Sequence, residues 1–196
     1  AGIDLQNRYH ARTLAQRNSI LTSLITSTAV CMAALVLDHL LGEPRRMHPL
    51  VGFGKVAIWL EQRLNPRDPK AAWRSAHPLL MGSLAVFTLV APLVLVSLVL
   101  MAVLSAPALI LVEIVVLWSA LSLRGLREHA LAVADPLAAG ELPVAREQLA
   151  RIVSRQTASL DETAVASAAT ESVLENGADA VFASLFWFLV AGMPGV

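Results

Sequence analysis

Three acidic side chains stand close together near the end of the sequence: Glu171, Glu175 and Asp179. Glu171 and Glu175 are four positions apart and share one face of a predicted helix, and Asp179 lies just beyond its end. Carboxylates in this arrangement can hold Mg²⁺ beside a phosphate group. The alternative is a solvated acidic helix face. The return to apolar sequence at Val181 favours the metal site, because a charge next to a membrane segment is costly unless it is compensated.

A second group of reactive side chains is found in the segment DHLLGEPRRMHP, residues 38–49. Gly42 is expected to end a helix, and the prolines after it stiffen the turn. Asp38, Glu43 and His48 can then converge to bind a metal ion. The alternative is that these side chains cap the helix and pair with the two neighbouring arginines.

The composition shows what kind of protein must position these groups. Apolar residues make up 56% of the 196 residues and charged residues 15%, and the mean hydropathy is +0.64. An average soluble domain has roughly 25% charged residues, so this chain has too few charges to cover a water-facing surface. Its 15 basic and 15 acidic residues leave no net charge to attract a nucleic acid. The single cysteine, Cys31, excludes an internal disulfide and a cysteine-based zinc site.

Uncharged stretches of the sequence are long enough to cross a lipid bilayer, which needs about 20 apolar residues. Residues 19–37 contain no charged side chain and predict one span, and residues 75–123 are long enough for two. Ser105 and Pro107 are expected to mark the break between those two, as N-cap and first-turn residues. We therefore predict an all-α, polytopic membrane protein with amphipathic cytoplasmic helices. The predicted segments are a polar N-terminal extension (1–18), transmembrane helix 1 (19–41), a cytoplasmic loop (42–75), a two-span hairpin (76–123), a cytoplasmic helical segment (124–179) and the start of a further membrane segment (180–196).

Two features of the spans allow another interpretation. The first span resembles the apolar part of a signal peptide, but Asp38 and His39 stand where a small-residue cleavage site is expected. Glu113 lies within an apolar stretch, and a carboxylate inside a span usually marks a functional site. Its position about two turns after Pro107 equally fits a place near the outer membrane interface.

Basic residues in the loops predict the orientation of the spans. Seven Lys or Arg residues lie between residues 43 and 74, and five Arg residues follow between 124 and 155. The positive-inside rule places both segments on the cytoplasmic side of the cell inner membrane and the N-terminus outside. Because a two-span hairpin separates the segments, they emerge on the same side in either orientation and can form one site.

Loop residues and apolar spacing predict an amphipathic helix after residue 140. Asp135-Pro136 and Gly140 are typical of a loop. Pro143 suits the first residue of the helix, whose apolar residues recur on one face with a period of 3.6 residues. Those residues are Ala145, Leu149, Ile152 and Val153.

The next predicted helix, 160–176, carries the first two acidic residues. Ser159 as N-cap and Glu162 three positions later form a capping box. Asn176-Gly177 is expected to end the helix. Its many Ala and Ser residues allow another helix to approach closely.

Three blocks of the sequence carry a more specific pattern. The first is LDHLLGEPRRMHPLVGFGK from residue 37, the second SRQTASLDE from residue 154, and the third TESVLENGADAVFASLFWFLVAGMPG from residue 170. Together they resemble the adenosylcobinamide-phosphate synthases, a family of membrane-bound, amide-forming enzymes of cobalamin biosynthesis. The resemblance covers about residues 33–195, and three blocks in the same order make it specific. The positions that match the family pattern are Asp38, Gly42, Glu43, Pro44, His48, Pro49, Arg155, Glu171, Glu175, Asn176 and Asp179.

The resemblance implies an ATP-dependent amide synthase. The free propionate of adenosylcobyric acid would be joined to (R)-1-amino-2-propanol or its O-phosphate, giving adenosylcobinamide or its phosphate. Because amide formation from a carboxylate is uphill in water, phosphoryl transfer from ATP to the carboxylate is expected first. The sequence has no Gly-rich phosphate loop, so ATP use follows from the resemblance and from energetics.

The resemblance also implies where phosphate and metal would bind. Glu171, Glu175 and Asp179 would hold Mg²⁺, and Arg155 would bind phosphate oxygens through both of its terminal nitrogens. Asn176 belongs to the same block.

The first block would supply the proton chemistry. His48 would accept the proton of the amine, since its ordinary pKa lies near neutrality. Asp38 and Glu43 would orient His48 or bind a second ion.

Two other functions fit a membrane protein of this kind: a transporter component and a non-catalytic scaffold. A transporter predicts polar residues at the bilayer midplane and inverted repeats, whereas the polar clusters here stand at the predicted cytoplasmic edge. Partners implied by the enzyme are the corrinoid, the aminopropanol, the lipid bilayer and other membrane proteins of the same pathway. Family members continue beyond residue 196, so the site is expected to be incomplete in this chain.

Overall fold

The computed structural model describes residues 2–42, 49–64 and 77–196, with side chains from residue 12 in the first range and residue 51 in the second. Within these ranges every regular element is a helix. The α-helices are α1 (Gly2–Leu41), α2 (Pro49–Leu64), α3 (Pro78–Val103), α4 (Ala106–Ala120), α5 (Leu123–Ala138), α6 (Leu142–Leu149), α7 (Glu162–Gly177) and α8 (Ser184–Ala191), with a π-helical segment at Ala178–Ala183 and a 3₁₀ turn at Met193–Gly195.

Four helical stretches are long and apolar enough to cross a membrane: Arg12–Leu41, Pro78–Val103, Ala106–Ala138 and Glu162–Ala191. The predicted all-α, polytopic class is therefore confirmed. The polar residues before position 19 do not form a separate element, because α1 runs without a break from Gly2. No proline interrupts that part of the sequence, so a common cause of a helix break is absent there.

The predicted break inside the second apolar region is confirmed. Helix α3 ends at Val103 and α4 begins at Ala106, with Ser105 in extended backbone geometry at the N-cap and Pro107 in the first turn. Proline suits this position because the N–H group that it lacks would have no hydrogen-bond partner within the helix there. Pro92 lies inside α3.

The first core joins the predicted membrane helices. Val30 and Ala34 of α1 are buried against Leu117 and Leu121 at the end of α4, and Phe188 of α8 completes the cluster. Ala34 has no exposed surface, and such a small side chain lets two helices approach closely. Helices α1 and α4 therefore end at the same end of the bundle, as the two-span hairpin requires.

The second core joins α5, α6 and α7. It is formed by Val133, Ala145, Leu149, Val165 and Ala168. The predicted amphipathic helix is confirmed as α6, which begins at Leu142, one residue before Pro143. It ends at Leu149, so Ile152 and Val153, predicted on its apolar face, lie in the turn that follows and pack on the same core from there. Its apolar face packs on the protein itself.

The loop predicted at Asp135-Pro136 is wrong, because α5 continues through both residues to Ala138. A proline in the last turn costs the helix one hydrogen bond, and Leu137 packs against the second core, which holds the turn in place. The helix ends at Ala138, and Gly140, two residues later, has a φ of +76°. Its two closing hydrogen bonds, from Glu141 N to Pro136 O at 2.8 Å and from Gly140 N to Leu137 O at 3.1 Å, form a Schellman motif.

The capping box predicted at Ser159 is also wrong. Helix α7 begins at Glu162, and its N-cap is Asp161, whose Oδ1 accepts a hydrogen bond of 2.8 Å from the Ala164 N–H. Serine and aspartate are comparable N-caps, and both precede this helix. The three-residue spacing from Ser159 to Glu162 therefore favoured Ser159, whereas the structure uses Asp161.

Gly177 is the last residue of α7 but does not stop the helical path, contrary to the prediction. Its φ is −66°, an ordinary helical value, and the chain continues through the π-helical segment into α8. Glycine stops a helix when it adopts positive φ, which Gly177 does not. A Cβ at Gly177 would lie 3.8 Å from Leu126 Cδ1, so its contact with α5 is ordinary van der Waals packing.

Replacing Gly177 by alanine is therefore expected to stabilise the protein, by about 0.5–1 kcal/mol, because alanine loses less backbone entropy in a helix. Thermal unfolding of the full-length protein in detergent measures the change. The control is Gly192→Ala, which is expected to destabilise because Gly192 has a φ of +65°. A lower melting temperature for Gly177→Ala would contradict the assignment of Gly177 as a regular helix position.

Candidate functional site

A polar cleft of about 490 Å³ lies between the segment that follows α6 and the side of α7. It brings together the predicted phosphate-binding arginine and two of the predicted metal ligands. Its lining residues are Ile152, Val153, Ser154, Arg155, Ala168, Glu171, Ser172, Glu175 and Asn176.

Buried hydrogen bonds hold the segment that carries Arg155. Thr157, which is almost fully buried, donates from Oγ1 to the Arg146 carbonyl at 2.9 Å. Arg146 Nε in turn donates to the Leu160 carbonyl at 2.6 Å. Ser172 of α7 donates from Oγ to the Ile152 carbonyl at 2.8 Å. The segment is thus tied to α6 at one end and to α7 at the other, which fixes one wall of the cleft.

Arg155 and Glu171 face each other across the cleft. Arg155 Nη2 lies 2.8 Å from Glu171 Oε2, and the two side chains are 55% and 68% exposed. Ion pairs at this exposure contribute only about 0–1 kcal/mol, so a phosphate or a metal ion can replace either partner at little cost. Glu175 lines the same cleft one helical turn further on.

Asn176 has a defined amide orientation. Its Nδ2 donates to the Ser172 carbonyl at 2.7 Å and to Ser172 Oγ at 3.2 Å. This leaves the oxygen Oδ1 as the atom that can accept a hydrogen bond or contact a cation. Ser172 therefore contacts both the Asn176 amide and the segment after α6 that contains Ile152.

A second, smaller cleft of about 320 Å³ adjoins the first, since Ile152, Ser172 and Asn176 line both. The opposite wall of this cleft is one face of α5 together with its N-cap. It consists of Ser122, Leu126 and His129.

Asp179 is not brought into either cleft. It is exposed on the π-helical segment after α7 and is absent from the lining of both clefts. In the part of the chain that the structure describes, no three His, Cys, Asp or Glu side chains gather as a metal-binding group. Binding of Mg²⁺ by Glu171, Glu175 and Asp179 stays a prediction, and the geometry groups only the first two.

Asp38 lies in a helix joint rather than on a cleft wall. We use the name α1–α5 joint for the contacts among Asp38, Gly42, Trp118 and Arg124. Asp38 is fully buried, and its Oδ2 accepts a hydrogen bond of 2.9 Å from the backbone N–H of Arg124 in the first turn of α5. Asp38 thus caps a helix, as in the alternative interpretation, but the helix is α5 and not the one that Gly42 ends. The two neighbouring arginines lie outside the described residues. Glu43 and His48 lie outside the described residues.

Glu113 lies in α4 and lines neither cleft. The residues that sequence reasoning missed are the ones that hold the site in place: Trp118 and Arg124 in the joint, and Thr157 and Ser172 beside the cleft. Ser172 could have been found, because it falls on the helical face of the buried residues Val165 and Ala168 and a polar residue on such a face needs a partner. Arg124 gave no signal beyond its charge at the end of a span.

Comparison with known proteins identifies the family. The family model for CobD/Cbib proteins matches residues 31–196. The chain is 54% identical over 166 residues to the cobalamin biosynthesis protein CobD of Stutzerimonas stutzeri, an alignment that covers 84% of this chain and 52% of the relative. It is 49% identical over 165 residues to the protein of the same name from Chromobacterium violaceum, covering 83% and 51%.

More distant relatives show the same coverage. The CobD protein of Halalkalibacterium halodurans is 37% identical over 164 residues, which is 83% of this chain and 50% of that protein. The chain thus spans about half the length of the curated relatives it matches. No solved structure matches it. With the family model covering all three sequence blocks and both clefts, the chain belongs to the CobD/Cbib family.

Proposed function

We propose that the protein carrying this chain acts in cobalamin biosynthesis and joins adenosylcobyric acid to (R)-1-amino-2-propanol, or to its O-phosphate, through an amide bond. Three observations support the proposal. The chain belongs to the CobD/Cbib family, its relatives are named cobalamin biosynthesis proteins, and the polar cleft beside α7 combines a guanidinium group with two carboxylates. The cleft carries most of the argument, because its charges suit a phosphate and a divalent cation together.

The reaction needs an activated carboxylate. In the proposed route the propionate oxygen attacks the γ-phosphorus of ATP, which releases ADP and gives an acyl phosphate. The amine nitrogen then attacks the carbonyl carbon, a proton leaves the nitrogen, and inorganic phosphate departs. Such transfers depend mainly on positioning and on neutralisation of charge, and therefore require fixed charged groups more than a nucleophilic side chain.

Arg155 is proposed to bind the phosphate oxygens. A guanidinium presents two parallel N–H groups to a phosphate and forms charge-assisted hydrogen bonds. The wall that carries Arg155 is anchored by Thr157 and Ser172, so only the side chain must move. The exposed pair with Glu171 opens at little cost.

Glu171 and Glu175 are proposed to hold Mg²⁺, with Oδ1 of Asn176 as a third oxygen. Magnesium in phosphoryl-transfer sites is usually bound by one or two carboxylates and by the substrate phosphates. The two glutamates of the cleft therefore fit the ion without a closed set of protein ligands. When bound, the ion neutralises phosphate charge during transfer. Asp179 belongs to the proposed set through the family pattern alone.

His48 and Glu43 complete the proposal from outside the described residues. His48 is proposed to take the proton of the amine, and Glu43 to orient it. Support comes from Gly42, the last described residue before them, which lies beside the first turn of α5. We further propose that this end faces the cytoplasm, where ATP is available, in a multi-pass protein of the inner membrane.

Incubation of the purified full-length protein with adenosylcobyric acid, Mg-ATP and each amine donor tests this function. We expect a product with the mass of adenosylcobinamide or its phosphate, formed together with ADP and phosphate in equal amounts. Omission of ATP or chelation of Mg²⁺ should abolish it. Absence of product with both donors, in protein shown to be folded, would contradict the proposal and favour a non-catalytic scaffold.

A further inference from the structure

The α1–α5 joint connects the last turn of the first membrane helix to the first turn of α5. Asp38 accepts the Arg124 N–H at 2.9 Å, and Arg124 Nη1 donates to the Leu40 carbonyl at 2.9 Å. Trp118 Nε1 donates to the Gly42 carbonyl at 3.1 Å. Each helix end therefore satisfies backbone groups of the other, which would otherwise lack partners within their own helix.

The electrostatics of the joint favour this arrangement. The carboxylate of Asp38 stands at the N-terminus of α5, and the guanidinium of Arg124 stands at the C-terminus of α1. Each charge is opposite in sign to the nearby end of the helix dipole, which is the favourable arrangement. Glu128 holds the guanidinium in place, with Oε1 at 2.8 Å from Arg124 Nε.

Gly42 allows the two helix ends to approach. Its φ is +67°, and a Cβ at this position would lie 3.2 Å from Arg124 Cδ. Any other residue would meet both a strained backbone and the arginine stem. The glycine of the first block thus has a packing reason that is separate from catalysis.

The joint also sets one wall of the second cleft. Ser122, Leu126 and His129 share the face of α5 that lines it, and the Asp38 hydrogen bond acts on the first turn of the same helix. Asp38 has no exposed surface and is absent from the lining of both clefts. A substrate in either cleft therefore has no access to its carboxylate.

We infer that Asp38 is a positioning residue, which fixes α5 and its cleft wall through the α1–α5 joint and does not contact the reacting groups. Among the described residues its second oxygen, Oδ1, has no hydrogen-bond partner. The joint thus uses one of the two carboxylate oxygens, Oδ2, to accept the Arg124 N–H. Asparagine supplies that oxygen without the charge, whereas alanine does not.

Hydrogen exchange in the full-length protein tests the joint without any assay of activity. In Asp38→Ala, amides in the first turn of α5, Arg124 to Leu126, are expected to exchange about tenfold faster than in the parent, the effect of losing an N-cap. In Asp38→Asn they should remain within about threefold of the parent. Asp135→Ala, a change at an exposed residue of the same helix, should leave them unchanged. Equal exchange in Asp38→Ala and in the parent would overturn the inference.

Activity provides the second readout, and this arm rests on the proposed function. At a temperature well below the melting point of every variant, kcat/KM of Asp38→Asn should stay within about threefold of the parent and that of Asp38→Ala should fall about tenfold. A catalytic or metal-binding Asp38 predicts instead that both variants lose about 100-fold or more. That result would overturn the positioning role. A parent protein without amide synthase activity refutes the proposed function, and the exchange data then decide on the joint alone.

Discussion

Replacing Glu175 by glutamine is expected to lower kcat/KM for amide formation by about 100-fold or more, because the change removes one of the two cleft carboxylates proposed to hold Mg²⁺ at the transferring phosphate. Glutamine has nearly the same shape, so folding and membrane insertion should not change. The measurement is the rate of product formation by the purified full-length variant at saturating Mg-ATP. Partial recovery at higher Mg²⁺ concentrations is expected if the lost step is metal binding.

The matched control for this experiment is Glu162→Gln. Glu162 lies in the first turn of the same helix and is exposed, but it is not part of the cleft lining. Its substitution should change kcat/KM by less than about twofold, as is usual for exposed positions away from a site. Unchanged activity in Glu175→Gln, or an equal loss in both variants, would remove Glu175 from the site.

Replacing Arg155 by lysine is expected to reduce kcat/KM by about 100-fold although the positive charge is kept. Lysine is a point charge and cannot form two parallel hydrogen bonds to a phosphate, and loss of one such donor costs about 100-fold or more in comparable sites. Because the pair with Glu171 is exposed, stability should change by less than about 1 kcal/mol. Steady-state rates with varied ATP and thermal unfolding of the same preparation measure the two effects.

Arg127→Lys is the control for Arg155→Lys. Arg127 is exposed on α5 and lines neither cleft, so the variant should keep the parental rate. Full activity of Arg155→Lys would show that a general positive charge is sufficient, which would exclude bidentate phosphate binding by this residue.

The fold was largely predictable because its main signals are local. Uncharged stretches identified the membrane helices, Ser105 and Pro107 marked the break between α3 and α4, and Pro143 marked the start of α6. Errors arose at residues that often end a helix but here keep helical geometry. The second core holds Pro136 within α5, and Gly177 keeps helical geometry because the chain continues from α7 into α8.

The candidate site was predictable only in part. The spacing of Glu171 and Glu175 on one face of α7 could be read from the sequence, and the family pattern pointed to Arg155. That Arg155 faces Glu171 depends on a turn held by Thr157, Ser172 and backbone carbonyls. Such contacts join residues distant in sequence and leave no periodic signal.

The first block illustrates the same limit. Asp38 and Gly42 stand among residues that could bind metal, and their types alone do not separate catalysis from helix capping. The partners that decide the matter, Trp118 and Arg124, lie in a different segment. Only the packing of α1 against α4 brings them within hydrogen-bonding distance of the end of α1.

The central claim is that the substrates bind in the cleft between residues 152–155 and α7. It is tested most directly by the labelling rate of a single cysteine at Ser154, which is exposed and lines the cleft. Ser154→Cys is made in the full-length protein with Cys31 and any other cysteine replaced by alanine. Ser167→Cys, at an exposed position of α7 outside the cleft, is the control.

Labelling by a water-soluble maleimide is measured with and without adenosylcobyric acid and Mg-ATP. We predict that the substrates together slow labelling at position 154 by about tenfold or more, through steric exclusion, and leave position 167 unaffected. Labelling of Ser154→Cys that stays equally fast with saturating substrates, in a variant that still forms the amide product, would contradict the placement of the reaction in this cleft.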